Sequence, residues 1–215
     1  MKMNYKKIAA IAFLILCTAS LSRAQKEDYG RGIIKTEYGF LHVWNEEPDN
    51  YYTLEIRGKD IRQKSTEQIM LNVDGKSLQI LTVPINKFLG DTKNIKLNER
   101  AILTAHQDWE FKYLEETYKE KLTKQSSWQK REGGGEALSW DIVVPASAKS
   151  NVTKQVFLTA VKGNYVMMLG GVVTSEIEES AARKLLTDTL ATLKASDKPI
   201  DLNKLSEAIK KGSKN

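Results

Sequence analysis

The sequence predicts an α+β fold: a mostly antiparallel sheet of about seven to eight strands flanked by two long helices, an α/β/α sandwich. Three observations carry this. Apolar residues recur with period two in short runs joined by turn residues, from Tyr38 to Thr82 and again from Trp128 to Val173. Two longer stretches, 98–122 and 175–194, switch to helical spacing. The run 156–173 is apolar almost without interruption, as expected where both faces of a sheet are covered.

Taken in order, residues 25–33 read as a polar, glycine-containing lead-in. Tyr38, Phe40, His42 and Trp44 then share one face of a strand, with Leu41 and Val43 on the other, and the cluster Asn45 to Asn50 turns the chain into a second strand carrying Tyr52, Leu54 and Ile56. The charged run 57–67 reads as a loop or frayed strand end. Ile69, Leu71 and Val73 lead into Asp74-Gly75, a pair suited to a type I′ turn because both of its central positions need positive φ. Leu78, Ile80 and Thr82 return, Pro84 ends the strand, and 88–97 is a connection.

The helix over 98–122 has Asn98 as N-cap and Glu99 in its first turn. At 100° per residue it carries two apolar stripes. Leu103, Phe111, Leu114, Tyr118 and Leu122 form the longer one, expected to face the sheet; Ile102, Ala105, His106, Trp109 and Tyr113 form the other. The second stripe is either covered by another part of the chain or is an exposed aromatic patch that recognises a partner. Two strands flanking Gly133-Gly134-Gly135 follow, with Leu138, Trp140, Ile142 and Val144 facing inward on the second. Because these glycines join two strands and precede Glu136, they make a hairpin tip and not a phosphate loop. The apolar hairpin turns at Lys162-Gly163-Asn164. A capping box, Ser175 with Glu178, opens the second helix, whose apolar face is Ala181, Ala182, Leu185, Leu186, Leu190 and Leu193. Residues 201–215 are a basic tail or a short helix bearing Leu202, Leu205 and Ile209.

Residues 1–24 read as a signal peptide. Lys2, Lys6 and Lys7 precede an apolar run from Ile8 to Cys17, and Ser22-Arg23-Ala24 gives a small-x-small cleavage site. Cys17 follows Leu14-Ile15-Leu16 where a lipoprotein signal has a small residue, so it reads as part of the apolar run, with lipidation as the alternative. Removal of this leader leaves no cysteine, hence neither disulfides nor thiol chemistry. It also removes four of the 33 Lys and Arg and none of the 27 Asp and Glu, so 25–215 carries 29 against 27, a net charge of +2. Without the lysines of 203–215, the body 25–202 carries 25 against 26. A near-neutral body offers no nucleic-acid footprint. Residues 25–200 read as one domain, and no stable membrane span is expected.

The succession from Val156 to Leu193 resembles the PsbP/DcrB-like group of exported proteins: a strand, the Gly163-Asn164-Tyr165 turn, the Val166-Met167-Met168-Leu169 strand, small Gly170-Gly171, then an acidic-capped helix with Ala181, Ala182 and Leu185-Leu186. The resemblance implies a mostly antiparallel central sheet with helices on its two faces. Gly39-Phe40 matches a Gly-Phe of that group, but His42-Val43-Trp44 and Pro48 do not reproduce its Pro-x-x-Trp spacing. No metal or photosystem role carries over.

No catalytic constellation stands out. His42 and His106, the only histidines, have no zinc-ligand spacing, and Gly-x-Ser-x-Gly, dinucleotide and Walker fingerprints are absent. The acidic clusters at Glu46-Glu47, Glu115-Glu116 and 176–179 read as solvated turns or helix starts. The expectation is therefore an exported, periplasmic or secreted, non-enzymatic binding or accessory module with no cofactor and no metal. Its partner would be an envelope protein or a small ligand met by Trp109, Tyr113 and His106, or by the aromatic strand face of Tyr38, Phe40 and Trp44. The alternative is an envelope enzyme with an unfamiliar carboxylate or His106 site.

Overall fold

The structure, a computed structural model, describes residues 31–46, 50–65, 69–90, 98–131 and 134–212. The leader with Cys17, and Glu47 and Asp49 of the acidic turn, lie outside them. Among the described residues, eleven strands build two antiparallel sheets. Strands β1 (Arg31–Thr36), β2 (Gly39–Glu46), β3 (Asn50–Arg57) and β11 (Lys194–Ser196) form one, in the order β1-β2-β3-β11. The larger sheet contains β4 (Ile61–Ser65), β5 (Ile69–Val73), β6 (Lys76–Pro84), β7 (Lys124–Lys130), β8 (Glu136–Val143), β9 (Val152–Lys162) and β10 (Tyr165–Thr174). Its order is β4-β5-β6-β10-β9-β8-β7. The helices are α1 (Asn86–Leu89), α2 (Glu99–Tyr118), α3 (Glu179–Ala191) and α4 (Leu202–Gly212).

The α+β class and the seven-stranded antiparallel sheet between two long helices agree with the sequence pattern. Period-two burial sorts the sheet's side chains into two cores. Met167, Leu169, Leu158, Ala160, Leu78 and Ile80 face α3, together with Tyr52, Leu54 and Ile56 of the smaller sheet. Val166, Met168, Phe157, Leu138, Trp140 and Ile142 face α2 on the other side. The smaller sheet thus shares the α3 side, and the Tyr52 hydroxyl bonds the Thr82 hydroxyl across the layers at 2.8 Å.

The second sheet is the main departure from expectation. The supposed lead-in supplies β1, with Ile33 opposite His42 and Ile34 opposite Leu41. The chain leaving α3 adds β11 against β3, so Lys194 is a strand residue, not part of a last helical turn. The charged run 57–67 contains the edge strand β4. At Asp74-Gly75 both φ angles are positive, 49° and 84°, as a type I′ hairpin demands. Asn98 caps α2 through Oδ1, which accepts from the Ala101 N–H at 2.8 Å, and Lys119 stops the helix in the left-handed region at φ 55°. The Ser175 capping box does not form. Thr174 Oγ1, closer at the end of β10, takes the N–H groups of Glu176 and Ile177 at 3.1 Å each, and α3 begins only after Glu178.

Candidate functional site

Two places on this scaffold concentrate chemistry, one on each face of the large sheet. The first is the inward side of α2. Its buried residues are Ile102, Leu103, His106, Gln107, Glu110 and Leu114. Stepping by four and three from Leu103 gives Gln107, Glu110 and Leu114, one continuous line on the helix. The sheet-facing stripe therefore runs through two polar residues that a search for apolar spacing passes over, and His106 lies beside them, not on a separate outer face. His106 is fully buried, edge-on to Phe88 of α1 with ring centroids 5.2 Å apart. Trp109 keeps 41% of its surface exposed, 6.1 Å from the His106 ring, and Tyr113 is half-buried.

His106 Nε2 and Glu110 Oε1 stand 3.8 Å apart, beyond hydrogen-bond range, with 0% and 5% of their side chains exposed. Burial pushes the Glu110 carboxyl up to about 7 and the His106 imidazole down to about 4. Near neutral pH the imidazole is uncharged and the carboxyl about half protonated. Beneath them, Trp140 stacks on Phe157 at 4.1 Å, and Gln155 donates to the Tyr118 hydroxyl at 3.2 Å. Both His106 nitrogens, Gln107 Nε2, Trp140 Nε1 and Gln155 Oε1 are buried with no hydrogen-bond partner among the described residues.

The second place lies on the α3 face. Helix α3 packs chiefly on β10 and β9, so the β8–β7 side of the sheet extends past it. At the end of this strip is a groove of about 560 Å³. Ala137 and Leu158 line its floor, and Leu190, Ala191 and Leu193, where α3 gives way to β11, line its wall. Lys130, Arg131 and Lys162 contribute to its rim; among the described residues none of the lining is acidic, while Glu136 lies near Lys130 and the Glu99 carboxylate near Arg131. Arg131 Nε is buried without a hydrogen-bond partner among the described residues. The β7–β8 tip carries Gly134 and Gly135 at φ 99° and 78°. The positive φ at Gly135 favours glycine, and a side chain there would meet only the movable ends of Arg131, Nη2 at 2.8 Å, and Glu99, Oε2 at 2.9 Å.

Farther along the same face the charges are paired. Arg183 reaches Asp141, donates to Ser139 Oγ at 2.8 Å and to Glu179 Oε1 at 2.8 Å. Lys154 closes the set on Glu179 at 2.7 Å and Asp141 at 3.6 Å. The Lys154 ammonium, then Arg183, hold the Glu179 carboxyl below its usual range.

The sequence-derived candidates are not gathered into one site. Trp109, Tyr113 and His106 share α2 but point from the surface inward. Phe40 and Trp44 pack against the core on the α3 side, while Tyr38 stands in the β1–β2 turn, 57% exposed. Glu46 accepts from the Trp44 indole at 3.0 Å, and Glu115 from the Leu122 N–H at 3.1 Å. Among the described residues no group of three or more His, Cys, Asp or Glu is placed to hold a metal ion, and no helix is long and apolar enough to cross a membrane. Glu110, Gln107 and the Lys130–Arg131–Lys162 rim were not singled out in the sequence. The first two were readable from the four-three spacing; the rim comes from two separate turns that only the sheet order brings together.

No protein-family model matches the chain, and no curated protein matches it. Among solved structures, the solution structure of cyanobacterial PsbP (CyanoP) from Synechocystis sp. PCC 6803 is similar at a TM-score of 0.44 and 10% identity, over 82% of this chain and 99% of that one. A likeness of that degree carries no argument, and the α+β architecture rests on the sheets and helices described above.

Proposed function

We propose that this protein is an exported, non-enzymatic binding module that holds a small ligand in the groove between α3 and the β7–β8–β9 end of the large sheet. The observation that carries the reading is the groove itself. Its volume, about 560 Å³, lies in the range of small-molecule sites, and it joins an apolar floor to a few polar groups at the edge. Export rests on the leader pattern of 1–24, and kinship with the PsbP/DcrB-like group on the residue pattern of 156–193. The alternative, an enzyme built on His106 and a carboxylate, finds its pair in Glu110, but both side chains lie inside the α2 layer and away from solvent.

The test is co-purification. Protein isolated natively from its own host is extracted with organic solvent, and small molecules are identified by mass spectrometry. Ala191→Trp, at an exposed position on the groove wall, fills the site from the surface and should remove the co-purifying compound without lowering Tm. A second reading has one observation behind it: Trp109 is among the few large apolar side chains left exposed. If Ala191→Trp changes nothing while Trp109→Ala with Tyr113→Ala abolishes capture of an envelope protein, the contact surface is on α2 and the groove assignment is wrong.

A further inference from the structure

We propose that the outer face of the four-stranded sheet is a helix-docking surface: α4 of the same chain closes it, and when α4 leaves at residues 197–201 the face takes α4 of a second copy. This stands apart from the ligand reading of the groove.

The four-stranded sheet has two sides, and only one of them belongs to a core described above. Along β2, Phe40 and Trp44 pack on the α3 side, so the alternate residues Leu41 and Val43 point the other way. Cross-strand pairs share a side, with Ile34 opposite Leu41 and Tyr51 opposite Asn45. On this outer side Val43 is fully buried and Leu41 and Tyr51 nearly so, yet none of the three belongs to either core. An uncovered sheet face would leave these side chains in water, and among the described residues α4 is the element placed to cover them. Asn45, on the outer side, accepts from the Ile200 N–H and donates to the Ile200 carbonyl, each at 2.9 Å, which sets the chain on this face just before α4. Leu202, Leu205 and Ile209 then recur on one side of the helix, are half-buried, and likewise belong to neither core.

The attachment of α4 is lighter than that of the other long helices. α2 and α3 bury Leu103 and Leu186 almost completely, whereas no described side chain of α4 is fully buried. α4 also carries its own start. Asp201 Oδ1 accepts from the Asn203 and Lys204 N–H groups at 3.1 and 3.0 Å, so the first turn is capped without help from the body. The connection from β11, Asp197-Lys198-Pro199, is exposed. A self-capped helix on an exposed tether moves as a unit and opens at a lower free energy than the cores. Its 11 residues are too few to stay helical in water alone, so a freed α4 gains by docking again. A second copy is the matching partner because each chain supplies both the face and the helix that fits it. Exchange between two such chains closes with two-fold symmetry and leaves no face open.

The experiment uses the purified protein and two variants. Leu205→Asp with Ile209→Asp spoils the helix and keeps the face; Val43→Asp spoils the face and keeps the helix. Mixed, the two should form a one-to-one complex by size exclusion with light scattering, which neither forms alone. A fluorescein-labelled peptide of residues 200–215 makes the same comparison without the Val43 variant, should that one fail to fold. It should bind the double variant at least about tenfold more tightly than wild type, whose face is already filled, and a peptide carrying the same two substitutions should not bind. In wild type, amide hydrogen exchange over 202–212 should be at least about tenfold faster than in β9 and β10, and Asn45→Ala should speed it further without changing those strands. Equal peptide affinity for wild type and the double variant overturns the shared face. A folded double variant that binds no peptide overturns the docking surface, and one that unfolds, or protection over 202–212 equal to that of β9 and β10, overturns the departure of α4. Peptide binding with no complex between two folded variants overturns the second copy as occupant.

Discussion

The two faces of the large sheet handle buried polarity in opposite ways. On the α3 face, Asp141 is 4% exposed and is met by Arg183 and Lys154, with Glu179 and Ser139 completing the set. On the α2 face, His106, Gln107, Glu110, Trp140 and Gln155 are as deeply buried, yet most of their polar atoms lack partners among the described residues. An unsatisfied buried donor or acceptor costs about 1–3 kcal/mol, whereas a paired one is close to neutral. The α3 face therefore uses its polar residues to fix the helix on the sheet. On the α2 face Gln155 bonds the Tyr118 hydroxyl, but His106, Gln107 and Trp140 keep buried polar atoms without partners among the described residues. What differs is not the amount of buried polarity but whether each group is answered.

The largest test of this contrast is on the answered side. Arg183→Ala strands Asp141 in the interior with only Lys154 at 3.6 Å, and should lower stability by about 3 kcal/mol in urea unfolding. Replacing the pair together, Asp141→Leu with Arg183→Met, should recover most of that loss, because the buried charge goes with its partner. If the double variant is as unstable as the single one, the set does not act as a unit and the contrast between the faces weakens.

The next test uses pH on the unanswered side. His106 has its pKa depressed from 6.5 to about 4, so its contribution to stability is present above 6.5 and is lost as pH falls towards 4. Glu110 has its pKa raised from 4.5 to about 7, so its contribution is present below 4.5 and is lost as pH rises towards 7. Between 4.5 and 6.5 folding takes a proton from one and gives a proton to the other, and the two slopes cancel. Glu110→Gln should expose the histidine slope, with stability falling as pH drops from 6.5 to 4 by up to about 1.4 kcal/mol per unit. His106→Gln should give the reverse slope, falling as pH rises from 4.5 to 7. Urea midpoints for wild type and both variants across this range check the sign; parallel curves would mean that neither group is titrating in the interior.

Much of the fold was readable because period and turn chemistry act locally. Asp74-Gly75, the Asn98 cap and the apolar 156–173 hairpin each needed only neighbouring residues. What escaped depended on distant pairing. Strand β11, Lys194-Ala195-Ser196, has no apolar alternation, and its place is set by Tyr51, Tyr52 and Thr53 across the sheet. The groove rim joins the end of β7 to the β9–β10 turn, which become neighbours only through the order β10-β9-β8-β7. On α2 the failure was of another kind. Searching for apolar residues divided one helix into two stripes, whereas the line that faces the sheet includes Gln107 and Glu110. A hydrophobicity pattern cannot register a polar residue placed inward, and such residues mark where a fold departs from pure packing.

The smallest effect tests that point alone. Gln107 Nε2 is buried with no partner among the described residues, in line with Leu103 and Leu114, and leucine matches glutamine closely in volume. Gln107→Leu removes an unanswered amide without opening a cavity, so it should raise stability by about 1 kcal/mol, read as a higher urea midpoint with an unchanged m-value. A stabilised variant would mean that the amide is kept at a cost, and that the polar line on α2 serves something other than holding the helix. A destabilised one would mean that the amide is satisfied in solution. That outcome would narrow the contrast at one position, leaving both His106 nitrogens, Trp140 Nε1 and Gln155 Oε1 as the unanswered atoms among the described residues of the α2 face.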